Sequence, residues 1–168
     1  MTENEHQKAL REWIVKGLEI PAIRKLKGNS SYLLNNMIAK YTLYNDEYSI
    51  SEKALKRLNS DGIDLNQTYN RKKFYGSEQP YIYEHAIPAS VIRKLLCNCK
   101  KNEFENIFNN AGIVALILKE EDKKLNQCGL KSKMPEKWKI GEDPKARYQY
   151  AGINISNEKL KVKGAVYR

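Results

Sequence analysis

Apolar residues between Glu3 and Leu18 fall at Ala9, Leu10, Trp13, Ile14 and Leu18, the spacing of an amphipathic helix, with Gly17 and Pro21 weakening its end. A second helical pattern runs from Ser31 to Leu43 through Leu33, Leu34, Met37, Ile38 and Tyr41. A third starts at Ser51, where Ser-Glu-Lys-Ala-Leu-Lys-Arg-Leu has a capping residue ahead of an amphipathic run, and Asn59-Ser60-Asp61-Gly62 ends it. Further on, Tyr83-Glu84-His85-Ala86-Ile87-Pro88 predicts a strand end followed by a sharp turn, because proline cannot donate to a ladder and biases the residue before it toward extended geometry. Val91 to Leu96 and the charged run to Phe108 predict short helical turns, broken by Asn109-Asn110-Ala111-Gly112. The apolar run Ile113 to Leu118 predicts a buried strand, and Lys119 to Asn126 has the composition of a charged helix closed by Gly129. From Lys131 onward the chain predicts basic loops and one short helix around Lys145-Ala146-Arg147-Tyr148.

These elements predict an α+β fold, mainly helical, with few strands. Three segments are expected: a helical region over residues 1–68, a core over 69–135, and a basic extension over 136–168 packed on that core. At 168 residues the chain is long enough to bury a substantial core. Thirty Lys plus Arg against twenty Asp plus Glu give a net charge of +10, which favours a polyanionic partner such as nucleic acid. No stretch reaches membrane-spanning length. The three cysteines and the lack of an apolar N-terminal run predict a reduced, cytoplasmic protein, and Cys97-Asn98-Cys99 is too closely spaced to be the usual zinc-ligand pair.

Candidate chemistry centres on Glu84-His85. A neutral imidazole beside a carboxylate supplies a general base and a metal-binding oxygen in one dipeptide, the pair that metal-assisted phosphodiester hydrolysis requires. The competing interpretation is a structural histidine. Downstream, Asp122 and Asn126 lie four residues apart and share one helix face. Upstream, Arg71, Lys72 and Lys73 interleave with aromatic residues, and with Lys131, Lys133 and Arg147 they are the candidates for phosphate contacts.

Two blocks resemble the HNH, or His-Me finger, nuclease family. Glu84-His85-Ala86-Ile87-Pro88-Ala89-Ser90 is similar to the acid-His-x-x-Pro-x-Ser segment of HNH domains, and Leu116 to Asp122 is similar to their strand-to-helix segment. The resemblance covers residues 81 to 135. It implies an embedded ββα-metal motif in which His85 is the general base, Glu84 a metal ligand, and Asp122 or Asn126 the last ligand. It also implies that Asn110, or its neighbour Asn109, buttresses the loop between the strands. Mg²⁺ or Mn²⁺ is the implied ion, DNA the implied substrate with RNA left open, and a homodimer the assembly suited to double-strand cleavage. The chain departs from the family pattern in its long inter-block loop, in Asp122 at the final position, and in lacking a Cys-x-x-Cys pair around the core. The alternative function is a non-catalytic basic nucleic-acid-binding protein.

Overall fold

The computed structural model describes residues 3–164, so the last four residues of the expected basic extension lie outside it. Its strands are β1 (Glu47–Ser51), β2 (Thr68–Asn70), β3 (Tyr81–His85), β4 (Val114–Leu118) and β5 (Ile155–Lys163). They form one mixed sheet in the order β2-β5-β1-β4-β3. The central strand β1 runs parallel to β4 and antiparallel to β5, while β3 closes one side antiparallel to β4. Strands are thus drawn from all three of the segments expected from sequence. β1, β2 and β5 have no counterpart among the elements the pattern predicts.

Eight α-helices surround the sheet among the described residues: α1 (Glu5–Glu19), α2 (Pro21–Arg24), α3 (Tyr32–Leu43), α4 (Glu52–Ser60), α5 (Ala89–Asn98), α6 (Phe104–Ala111), α7 (Lys119–Gln127) and α8 (Ala146–Tyr150). Local chemistry fixes several starts. The Asn4 side chain accepts from the Gln7 amide while the Gln7 side chain accepts from the Asn4 amide, a reciprocal cap that satisfies two otherwise orphaned donors of α1. Ser51 Oγ accepts from the Ala54 amide and starts α4 where the sequence predicts it.

Alternation along each strand sorts side chains between two faces. Tyr48 and Ile50 of β1, Val114 and Leu116 of β4, Tyr81 and Tyr83 of β3, and Leu160 and Val162 of β5 pack with Ala54 and Leu58 of α4. Ala115 and Ile117 point the other way and pack with Leu125 of α7, Tyr148 of α8, Leu130 and Ile153. A third cluster joins α1, α3, α5 and α6 through Leu18, Ile38, Ile92 and Phe108. Each fully buried Leu or Ile contributes about 1.5–3 kcal/mol relative to exposure. The helix face of β4 therefore fixes α7 over the β3–β4 pair, and this positions the candidate site.

Candidate functional site

His85 ends β3 opposite Val114, and the next rung is the Ala86 amide donating to Ile113 O at 2.9 Å. Pro88 then turns the chain into α5. The imidazole is held from the side by α3, with His85 Nδ1 2.6 Å from Thr42 Oγ1. Thr42 has one hydroxyl proton, and it is used: Oγ1 donates to Ala39 O at 2.9 Å. The ring is thus tied to α3 through Nδ1, and Nε2 is the ring nitrogen that Thr42 does not contact. Burial pushes the imidazole pKa down to about 4, so the ring is neutral at pH 7.

Glu84 points to the opposite face of the sheet, toward α7 and α8. Its side chain is 16 % exposed, and the carboxylate is ion-paired with the Arg147 guanidinium, which is fully buried. Arg147 also donates to His85 O at 2.8 Å and to Leu130 O at 2.7 Å. Burial lowers its pKa from the usual arginine range, yet arginine stays protonated in proteins. Next to it, Tyr148 Oη donates to Glu84 O at 3.0 Å. Burial raises the Tyr148 pKa to about 12; the Arg147 charge opposes this, and the Asp122 charge adds to it. Asp122, in the first turn of α7, lies three residues before Leu125, which packs on this same face of the sheet.

The expected constellation is therefore divided. Glu84, Arg147, Tyr148 and Asp122 share one side, while His85 and Thr42 meet on the other. Asn126 does come together with Asp122, donating to its Oδ2 at 3.2 Å. Asn110 does not join them: it is half-buried on α6, and its side chain donates to Asn106 O at 2.8 Å within the same helix. Among the described residues no group of three or more His, Cys, Asp or Glu side chains is placed to hold a metal ion.

The chain matches no family model, no curated protein and no solved structure.

Two of the six expected phosphate contacts are corrected by burial. Arg71 is 2 % exposed and spends its guanidinium on Tyr48 Oη at 3.0 Å and on the carbonyl oxygens of Asn45 and Gly164, tying β1, β2 and β5 together. Arg147 is committed to Glu84 and to the carbonyls described above. Lys72, Lys73, Lys131 and Lys133 are exposed, with Lys73 Nζ 4.2 Å from the centre of the Tyr69 ring. Sequence reasoning missed Thr42, Tyr148 and Glu121. The last is 2 % exposed and accepts from Ser51 Oγ at 2.5 Å and from the Leu118 amide at 2.9 Å, bridging the ends of β1 and β4. A Glu three residues after a strand end was the available signal for that cap.

Proposed function

We propose that the chain is an HNH-like endonuclease hydrolysing phosphodiester bonds in DNA. The state of His85 carries this reading. A general base must be unprotonated at working pH, and the buried imidazole is neutral there, held through Nδ1 by Thr42 with Nε2 as its other ring nitrogen. In this role His85 Nε2 takes the proton from an attacking water, and the Nδ1–H bond to Thr42 Oγ1 holds the ring as it becomes cationic. The succession β3, β4, α7 lends further support, with the acid and the imidazole at the end of the first strand and Asp122 in the first turn of the helix.

The family resemblance implies Mg²⁺ or Mn²⁺. The side chains as placed do not fit a ready centre for either ion, since Glu84 is paired with Arg147 and Asp122 with Asn126. No step of the proton transfer above runs through an ion.

A second reading, a nucleic-acid-binding protein without catalysis, is favoured by one observation: Glu84 and His85 face opposite sides of the sheet. Nicking of supercoiled plasmid with Mg²⁺, Mn²⁺, Zn²⁺ or EDTA, beside a His85→Gln variant, separates the two. The endonuclease reading expects nicking by the native chain, at least a hundredfold less by the variant, and equal DNA binding by both. Binding by both proteins with no nicking in any metal would move the second reading ahead.

A further inference from the structure

Alternation along β5 sends Leu160 and Val162 into the core and leaves Lys159, Lys161 and Lys163 exposed on the opposite face of the sheet. We infer that this lysine row is a binding track for the sugar-phosphate backbone of a polynucleotide. The inference does not depend on catalysis and holds under either reading above.

Geometry supports it first. Residues two apart on a strand are about 6.8 Å apart, twice the roughly 3.4 Å axial charge spacing along one DNA strand, so successive lysines meet every second phosphate along the axis. The flanking positions are short and polar: Thr68 lies opposite Lys161 and Asn70 opposite Lys163 on β2, and Ser49 lies opposite Lys159 on β1. Lys72, two residues beyond Asn70, is also exposed. Two carboxylates border the row: Glu47 lies opposite Lys161, and Glu158 precedes Lys159 on β5.

Electrostatics supports it next. Lys159 Nζ is held by Ser49 Oγ at 2.8 Å. Burial, followed by the charge of Lys145, lowers its pKa from the usual lysine range, against a smaller opposing effect of Glu47. Lys159, Lys161 and Lys163 thus gather three cations along nine residues of one strand, in a chain of net charge +10. Such a concentration of one sign attracts a polyanion.

The test is fluorescence anisotropy in EDTA with a labelled DNA duplex, its single strand and the matching RNA, titrated over a range of salt. The native chain is compared with a Lys159→Gln, Lys161→Gln, Lys163→Gln variant and with a control carrying Lys8→Gln, Lys16→Gln and Lys94→Gln, which removes the same charge from exposed positions elsewhere. We expect the β5 variant to lose at least tenfold in affinity for one or more of the three probes. Its slope of log affinity against log salt should become shallower by about 2–3, because each phosphate contact accounts for roughly 0.7–0.9 of that slope. The control should keep native affinity and slope. If the triple variant fails to melt cooperatively, Lys161→Gln alone should lower the slope by about one. Equal losses in both variants, no change in either, or tighter binding to phosphatidylserine vesicles than to all three polynucleotides would overturn the inference. Loss of nicking with the track intact would bear on His85 alone.

Discussion

The depressed pKa of His85 makes stability depend on pH in a defined window. In the unfolded chain the imidazole titrates near 6.5, and in the fold it titrates at about 4. Between these values the unfolded state binds the proton and the folded state does not, so stability rises with pH there. The contribution of neutral His85 is therefore complete above about pH 6.5, falls by about 1.4 kcal/mol per pH unit below it, and has lost about 3 kcal/mol by pH 4. Urea unfolding at pH 7 and pH 5, for the native chain and for His85→Gln, isolates this contribution. His6, the other histidine, is common to both proteins and drops out of the difference. The native chain should lose about 2 kcal/mol more than the variant between the two pH values. Parallel losses in the two proteins, or an NMR titration of the His85 ring centred near 6.5, would refute the argument from burial. The same value sets a kinetic expectation: nicking should decline on the acid side with an apparent pKa well below 6.5.

Arg147→Ala leaves the Glu84 carboxylate with little exposure and no counter-charge, and removes donors from His85 O and Leu130 O. A loss of about 3–5 kcal/mol in urea unfolding is expected. Glu84→Gln should couple to it in a double-mutant cycle, and additive effects would show that the pair does not act as a unit. Leu116→Ala, in the fully buried centre of β4, should cost about 2–5 kcal/mol by thermal or urea unfolding. A loss below about 1 kcal/mol would mean that the sheet core collapses around the deletion.

What the sequence discloses is the structure with a strong local signature. Five apolar positions at helical spacing mark α1, a six-residue aliphatic run contains β4, and the charged stretch after it is α7. The end of β3 at Glu84-His85 is legible because Pro88 punctuates it. β1 is hidden for the opposite reason: Glu-Tyr-Ser-Ile-Ser is only five residues long, and its serines meet partners at Ala115, Lys159 and Ile155 that no local pattern reveals. β5 is hidden by its lysines, which in isolation suggest a solvated run. Arg71 and Arg147 mislead because an arginine in a basic segment suggests surface, and only the convergence of several backbone carbonyls makes its burial favourable. The division of Glu84 from His85 follows from strand alternation and becomes visible only once residue 85 is known to stay in register with Val114.

The position of β1 between β4 and β5 also bears on how the chain is made. Ser49 and Lys159, which meet across the β1–β5 pair, are 110 positions apart. At a synthesis rate of about 5–20 residues per second, β1 leaves the ribosome roughly 5–20 s before that partner exists. Until β4 is made, 66 residues after Ser49, Tyr48 and Ile50 belong to a nascent segment with no native mate, and its β5 edge stays unpaired longer still. Helices α1 to α3 and the β1–β4–β3 part of the sheet can form meanwhile, and the β1–β5 pair is completed last.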